Sequence, residues 1–398
     1  MIKKVLLLGY SLVFVCLFLY SFTQIDLGLV ISRYPFFYNL ERIFQHVGYF
    51  ERPLSSYIYS TLIIALTVLY SFSLMLAAKR QINKKFVWRL VIAAIILLTF
   101  SYNAFSYDIF NYMFDAKIVT HYFANPYVHK ALDYPNDPML AFMHWTHRTY
   151  PYGPVWLFLT VPLSFLGFQL FLPTFFLFKF LMAASYLGTA YFIGKIMRQY
   201  KKEQEVFSMV FFALNPLVLI ESLVSGHIDI VMMFFCMMAF SYLLSKRYLY
   251  SYGALMISIG IKFVTGILLP VFLWVQFASK KRMPWDTIII VSFLLLLLGV
   301  FVESKNSGNF QPWYLLVPMA FAALLANRYY IALPAIVISV FSLVLYLPFL
   351  YLGNWDPPVP ELLGQIMVMS YTVAFAITSV YFLYRQIRTN QKSKNRLL

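Results

Sequence analysis

The sequence predicts an all-α polytopic membrane protein, a bundle of about 12 transmembrane helices. Of its 398 residues, 62% are hydrophobic and only 12% are charged, whereas soluble proteins carry about 25% charged residues. Apolar runs long enough to span a hydrocarbon layer of about 30 Å recur along the whole chain. No stretch is left over for a soluble domain, so residues 1–398 are predicted to form one membrane domain.

The first three predicted spans cover residues 5–24, 55–78 and 86–105. The run 79–85 between the second and third spans reads Lys-Arg-Gln-Ile-Asn-Lys-Lys. Such basic loops lie on the cytoplasmic side of a membrane. The N terminus is then cytoplasmic as well, and residues 106–152 are predicted to form a long first outer loop that carries interfacial helices and the catalytic groups.

The next apolar stretch is predicted to contain a re-entrant segment. Its length would allow two crossings, but the basic cluster at 195–202 requires an odd number. Residues 153–172, broken by Pro162 and Pro173, are therefore predicted to enter and leave on the outer side as a re-entrant or interfacial hairpin. Only residues 174–197 are predicted to cross.

The second half of the chain completes the predicted bundle. About 30 residues separate the basic pair at 246–247 from the basic run at 280–282, too few for two full spans. Two short helices are predicted to meet there, near Lys262 and Gly266. The tail 387–398 is basic and predicted to be cytoplasmic, which places both termini inside. The other spans are predicted at 204–222, 227–245, 284–302, 312–326, 330–351 and 361–386.

In this topology most carboxylates lie on the outer side of the membrane. The first group of them follows the third span. If a helix continues there, Asp108, Asn111 and Asp115 occupy positions i, i+3 and i+7 on one face. An apolar surrounding raises the pKa of a carboxylate, which suits a general base that takes a proton from a sugar hydroxyl. A helix cap followed by a solvated acidic face would give the same spacing.

The outer loop also carries aromatic and cationic groups. Residues 144–148, His-Trp-Thr-His-Arg, suit a phosphate or a sugar face, although they could equally contact lipid headgroups. Turns such as the one at Tyr150 are predicted to pin the loop to the membrane surface. No metal site is predicted, because the two histidines lack a clear third ligand. Cys16 and Cys236 lie in apolar runs, and no disulfide is predicted.

Two further groups of ionisable residues lie at apolar segments. Glu221 is followed by His227 and Asp229 where the chain is predicted to re-enter the membrane, and ionisable groups at that depth suggest function. A satisfied polar cluster that bridges helices is the alternative. Lys262 would be costly in an apolar segment unless it pairs with an anion such as phosphate or extends to the outer surface.

Four separated segments together resemble the membrane-embedded glycosyltransferases of the C superfamily (GT-C), especially the mannosyltransferase-like branch that uses polyprenyl-phosphate sugars. They follow the family's order over about residues 100–320, and a weaker fifth match covers 312–316. The four are the outer-loop residues 106–116 with Asn-Pro-Tyr at 125–127, the Tyr-Pro-Tyr-Gly-Pro turn at 150–154, the Asn-Pro helix and Gly-His-Ile-Asp turn at 215–229, and the Lys-bearing helix pair at 260–270.

The resemblance implies transfer of a mannose-like hexose, with inversion, from a polyprenyl-phosphate donor to a hydroxyl of an envelope glycolipid or glycan. Asp108 matches the general base, and Asp115 would position the acceptor or the base. Asn111 stands where some members carry a second carboxylate, which argues against a metal held by two adjacent acids. The residues expected to bind the donor phosphate or substrate are Arg148, Tyr150, His227, Asp229 and Lys262.

The expected location is a bacterial plasma membrane, with the active site facing outward and membrane lipid as a partner. The net charge of +16 is attributed to membrane topology, and no nucleic-acid partner is predicted. A secondary transporter or lipid-linked flippase is the main alternative, and a non-catalytic envelope scaffold is a third. Transporters usually place charges near the midplane and show two similar halves, whereas here the acids cluster at one face and no repeat is found.

Overall fold

A computed structural model describes residues 2–278 and 283–394. In this part of the chain all regular elements are helical, and the single β-type pairing is an isolated bridge between Lys130 and Thr149. The basic run at 280–282 lies outside the described residues. The α-helices are α1 (Ile2–Ser21), α2 (Pro35–Gln45), α3 (Arg52–Ala78), α4 (Lys84–Leu98), α5 (Asp108–Thr120), α6 (Pro154–Leu166), α7 (Phe171–Tyr200), α8 (Glu205–Ala213), α9 (Pro216–Leu219), α10 (Asp229–Leu244), α11 (Tyr248–Ile261), α12 (Leu269–Phe277), α13 (Trp285–Asn306), α14 (Leu316–Leu324), α15 (Tyr329–Val344), α16 (Leu347–Leu352) and α17 (Val359–Lys394).

The helices confirm a polytopic membrane protein. Among the described residues, 6 helices are long and apolar enough to cross a membrane, or up to 7 if a bent pair counts as one span. Several other predicted spans correspond to apolar helices of only 10–17 residues, so the count of about 12 crossings stays a prediction. The qualifying helices are Ile2–Gln24, Arg52–Ala78, Phe171–Tyr200, Trp285–Asn306, Tyr329–Leu352 and Val359–Arg388.

Two predicted spans are interrupted, and local side-chain bonds explain both interruptions. The predicted helix 204–222 bends by 59°, because Pro216 has no N–H to give and the Asn215 side chain caps the new helix start at 2.9 Å. The predicted helix 86–105 ends at Leu98. Beyond it, the Asn103 side-chain amide donates to the Ser106 carbonyl at 2.6 Å, a bond that competes with helical pairing.

The predicted re-entrant stretch contains α6, a turn at 167–170 and the start of α7. The predicted break at Pro162 is wrong, because α6 continues through this residue while it packs against α5 and α11. The 13 residues of α6 extend about 20 Å, less than the thickness of a bilayer core. This length suits a re-entrant or interfacial segment, and that assignment stays a prediction.

Helix α2 is an element that was not predicted from the sequence. It exposes the apolar side chains of Phe36, Leu40 and Ile43 and buries the polar side chains of Glu41 and Gln45. The Glu41 carboxylate accepts a hydrogen bond from the Ile31 N–H, and the Gln45 amide donates one to the Asp26 carbonyl, both in the preceding loop. In a membrane protein such an apolar outer face suits lipid contact.

The two ends of the bundle differ in chemistry. Helix α4 begins at Lys84 and leads toward Asp108, α10 begins at Asp229 and ends just before the basic pair 246–247, and α13 carries Asp286 near its start and Glu303 near its end. At the basic end, Asp286 forms ion pairs with lysine and arginine side chains at 2.8 and 2.9 Å. The outer-loop carboxylates therefore lie at the end opposite the basic loops.

The last helix and the centre of the bundle complete the fold. Helix α17 continues to Lys394, so the predicted tail is helical as far as it is described. Its cytoplasmic location stays a prediction. All residues of α9 and α14 and most residues of α8 and α10 are buried, and these helices form the core of the bundle.

Candidate active site

A cavity of about 890 Å³ opens at the carboxylate-rich end of the bundle. Its walls come from α5, from the outer loop at 143–152, from the start of α10, from the segment 262–267 and from α13 with the loop after it. Charged, amide and aromatic side chains line one part, and aliphatic side chains line another. Clefts with a few convergent polar groups in an apolar wall are the usual form of small-molecule sites.

Helix α5 presents Asp108, Asn111 and Asp115 to the cavity, which confirms the predicted shared face. Asp108 is 16% exposed, and its Oδ2 lies 3.4 Å from the Tyr112 hydroxyl, which donates to it. The Asn111 side-chain oxygen is buried and has no hydrogen-bond partner in the described structure. The acidic face of this helix is therefore enclosed rather than solvated.

The two carboxylates of α5 have shifted acidities. Burial raises the pKa of Asp108 to about 6, and the nearby positive charge of Lys262 limits that rise. Burial alone raises the pKa of Asp115 to about 8. At neutral pH, Asp108 is therefore mostly ionised and can accept a proton, whereas Asp115 is mostly protonated and can donate a hydrogen bond.

Lys262 lies at the junction of two short helices, as predicted. Its Nζ is 2.8 Å from Asp229 Oδ1 and 2.6 Å from Glu303 Oε1, and it lies 4.9 Å from the centre of the Tyr314 ring. Asp229 is fully buried at the start of α10, and the second oxygen of each carboxylate has no hydrogen-bond partner among the described residues. Lys262 is thus a buried cation shared by two acids at the cavity wall.

Arg148 lies at the mouth of the cavity, where its guanidinium stacks 4.2 Å from the centre of the Trp145 ring. Both side chains are exposed. The loop that carries them is fixed by the bridge between Lys130 and Thr149. The guanidinium has no hydrogen-bond partner within residues 2–278 and 283–394, so Arg148 is a positioned cation whose donors can bind a ligand at the opening.

Tyr150 does not reach the cavity. Its side chain is 4% exposed, and its hydroxyl donates to the Gly153 carbonyl at 2.7 Å. The Gly153 N–H in turn donates to the Ile261 carbonyl at 3.1 Å, next to Lys262. Tyr150 thus ties the outer loop to the helix end that carries Lys262, and its predicted contact with substrate stays a prediction. The neighbouring Tyr152 lines the cavity instead.

His227 lies behind the cavity wall and is fully buried. Its ring stacks on the Trp313 ring at 4.0 Å between centres, and Trp313 itself faces the cavity. His227 Nε2 is 3.9 Å from Asp108 Oδ2, and Nδ1 is 3.1 Å from Glu221 Oε2. The structure therefore brings His227 to the predicted base, while its predicted contact with the donor phosphate stays a prediction.

Two charged residues near this site were not identified from the sequence. The sequence does not single out Glu303 as a partner of Lys262, because that contact joins distant parts of the chain. Lys179 is fully buried, and its amino group donates to the carbonyls of Leu223 and Val224 where the chain turns toward His227. A lone lysine within a long apolar run is a signal that could have identified it.

The described residues contain no group of three or more His, Cys, Asp or Glu side chains that could hold a metal ion. The ring of His144, one half of the histidine pair in the outer loop, lies against the Tyr107 ring with 3.9 Å between the ring centres.

Comparison with known proteins identifies the family. The family model described as alpha-(1->6)-mannopyranosyltransferase, N-terminal domain, matches residues 21–278, which is more than half of the chain. The chain belongs to this mannosyltransferase family. The match includes Asp108, Asp115, Arg148 and Lys262, and it confirms the resemblance to the GT-C mannosyltransferases. No curated protein and no solved structure matches the chain.

The protein is therefore a membrane glycosyltransferase, and its family transfers mannose. Glycosyl transfer to a hydroxyl needs a base for the hydroxyl proton and positive charge for the departing group. The cavity wall contains both kinds of group, since Asp108 lies on α5 while Lys262 and Arg148 lie on two other parts of the wall.

Proposed function

We propose that this mannosyltransferase transfers mannose from a polyprenyl-phosphate donor to a hydroxyl of a glycan or glycolipid, forming an alpha-(1->6) linkage with inversion. The observation that carries the proposal is one cavity lined by the Asp108 carboxylate and by the cations Lys262 and Arg148. The family match supports mannose as the sugar. An inverting reaction that makes an alpha linkage takes a beta-linked donor.

Asp108 acts as the general base. It takes the proton of the acceptor hydroxyl while the acceptor oxygen forms a bond to the anomeric carbon. The bond between that carbon and the phosphate oxygen breaks at the same time, and its electron pair leaves with the polyprenyl phosphate. Arg148 and Lys262 stabilise the negative charge that grows on the phosphate. Protonated Asp115, further along the same face of α5, donates a hydrogen bond to a bound sugar.

The apolar part of the cavity favours a lipid-linked donor. The apolar residues Phe263, Val264 and Ile267 line the cavity together with Gly299 and Val302 of α13. Gly299 permits the close approach of the two walls, because a Cβ there would lie 2.6 Å from a Val264 methyl carbon. Such an aliphatic surface suits an isoprenoid chain that enters from the bilayer.

An outward-facing site in a bacterial plasma membrane is part of the proposal. The cavity lies at the end of the bundle opposite the basic loops at 79–85 and 246–247, and basic loops are typical of the cytoplasmic side. Both termini would then face the cytoplasm. The acceptor would be an envelope glycan or glycolipid on the outer face.

The direct test is a transfer assay with the full-length protein in lipid vesicles. Radiolabelled mannosyl polyprenyl phosphate and a mannose-containing oligosaccharide are supplied, and the linkage of the product is determined. Donor-dependent formation of an alpha-(1->6) product supports the proposal. No transfer, together with movement of the lipid-linked sugar across the bilayer, would favour the flippase alternative.

The rate of transfer is expected to fall as the pH is lowered through about 6. Asp108 must be ionised to accept a proton, and burial raises the pKa of this group to about 6. Below that pH, kcat/KM should fall roughly tenfold per pH unit. The same acidic limb should remain in Asp115→Asn, because asparagine resembles the protonated form that Asp115 already adopts. A flat profile down to about pH 4 would contradict the role of Asp108.

Arg148→Ala is expected to raise the donor KM by about tenfold or more, since a hydrogen bond to a charged group contributes about 1.5–3 kcal/mol. The melting temperature should not change, because the side chain is exposed and stacks only on Trp145. His147→Ala is the matched control, as this neighbour is also exposed and does not line the cavity. An unchanged donor KM in Arg148→Ala would remove Arg148 from the phosphate site.

A further inference from the structure

A buried polar cluster lies directly behind Asp108 and has no access to the cavity. It consists of His227 and Glu221, which belong to one turn, and Tyr346, which comes from a distant part of the sequence. We propose that His227 and Glu221 are positioning residues that act through Asp108 and hold the proton that Asp108 takes from the acceptor. This inference rests on the proposed role of Asp108 as the base.

The contacts between these side chains form a series that leads inward from the cavity. His227 Nε2 is 3.9 Å from Asp108 Oδ2, and His227 Nδ1 is 3.1 Å from Glu221 Oε2. The other oxygen of Glu221 accepts a hydrogen bond from the Tyr346 hydroxyl at 2.9 Å. This series of contacts therefore joins a carboxylate, an imidazole, a second carboxylate and a phenol. Of these four side chains, Asp108 alone lines the cavity.

Backbone and ring contacts hold the side chains of Glu221 and His227 in these positions. The N–H groups of Gly226 and His227 both donate to the Glu221 carbonyl, at 3.1 and 3.0 Å, so the two side chains belong to one tight turn. The turn requires Gly226, whose φ of 76° is strained for other residues. The Trp313 ring stacks on the imidazole and restricts it to rotation within its plane.

Unpartnered atoms point to a proton-holding role. Both ring nitrogens of His227 and Oε2 of Glu221 are buried without a well-aligned hydrogen-bond partner in the described part of the chain. Leaving such groups unpaired in a buried site is destabilising. A small rotation of the imidazole would align Nδ1–H with Glu221 and leave the Nε2 lone pair facing Asp108. Catalytic hydrogen bonds are often long in the absence of substrate and shorten when it binds.

The proposed step conserves every atom and charge. The acceptor O–H bond breaks, and its proton goes to the Asp108 carboxylate as the new glycosidic bond forms and the polyprenyl phosphate leaves. The proton then passes from Asp108 to His227 Nε2, and the Glu221 carboxylate stabilises the resulting imidazolium. Asp108 is again ionised beside the product, so it cannot return the proton to the new glycosidic oxygen. After product release the proton reaches water in the cavity through Asp108.

The experiment compares Glu221→Gln, His227→Gln, their double variant and the same changes combined with Asp108→Asn. The full-length protein in vesicles is assayed for kcat and both KM values, and its melting temperature is measured. Ser251→Ala is the matched control, because Ser251 is equally buried and its hydroxyl bonds only to the Ala239 carbonyl, away from the cavity.

The expected result is a loss of kcat on the order of tenfold or more in each single variant, with the donor KM unchanged. The double variant should be no slower than the slower single variant, and neither change should slow Asp108→Asn further, since residues that act as a unit are non-additive. Unchanged kcat in both single variants, or a raised donor KM, would overturn the inference. Normal activity of Asp108→Asn would instead overturn the proposed function.

Glu221→Gln keeps the test valid if the histidine variant does not fold. Glutamine has nearly the size of glutamate and can still accept the Tyr346 hydrogen bond. A Glu221→Gln protein with the wild-type melting temperature and a reduced kcat supports the inference. A reduced kcat that appears only together with a lower melting temperature indicates a purely structural cluster and overturns it.

Discussion

Asp108→Asn is expected to reduce mannosyl transfer by about 10²–10⁴-fold, the usual contribution of a positioned general base. Asparagine has the same shape and can still accept the hydrogen bond from the Tyr112 hydroxyl, so the helix α5 should keep its structure. The amide cannot take a proton at neutral pH. The loss should therefore appear in kcat, with an unchanged melting temperature, when transfer is measured in vesicles.

Asp133→Asn is the control for that variant. Asp133 belongs to the same outer loop, but its side chain is 36% exposed and lies 3.4 Å from the side chain of His129 rather than in the cavity. This change should leave transfer at the wild-type rate. If Asp108→Asn retained full activity, Asp108 would not be the base and another group would have to accept the proton.

Lys262→Gln is expected to lower both stability and donor binding. It would leave Asp229, which is fully buried, and Glu303, which is 22% exposed, without their shared cation. Removing one partner of a buried ion pair typically costs about 3–5 kcal/mol. The melting temperature should fall, and the donor KM should rise because two uncompensated carboxylates repel the phosphate. Thermal unfolding and kinetics of the same preparation measure the two effects separately.

A second change separates the two roles of Lys262. The double variant Lys262→Gln with Glu303→Gln carries one buried negative charge fewer, so part of the lost stability should return. Donor binding should stay weak, because no cation is restored. A Lys262→Gln protein with unchanged melting temperature and unchanged donor KM would show that this lysine neither balances the acids nor holds the phosphate.

The helical fold and part of the site follow from local sequence. Apolar length predicts helices wherever the bilayer requires them, and helical spacing alone predicts that Asp108, Asn111 and Asp115 share one face, which is the face that lines the cavity. The short helices that meet at Lys262 follow from chain length between basic loops. These features depend on residues close in sequence.

The features that the sequence did not reveal depend on long-range packing. The partnership of Lys262 with Glu303 joins residues 41 positions apart, and the position of His227 behind the wall depends on the stacked Trp313. The Tyr150 hydroxyl donates to the Gly153 carbonyl, and the predicted contact of Tyr150 with substrate stays a prediction. Helix α2 does not stand out in the sequence, because its 11 residues are too few to span a bilayer and include charged side chains.

The most direct test of the central claim is a structure of the protein in a lipid nanodisc with a non-hydrolysable mannosyl polyprenyl phosphonate. The phosphonate oxygens should lie within about 4 Å of Lys262 or Arg148, with the anomeric carbon turned toward Asp108 and the isoprenoid chain along the aliphatic wall at 263–267. A ligand bound elsewhere, with this cavity empty at a saturating concentration, would contradict the account.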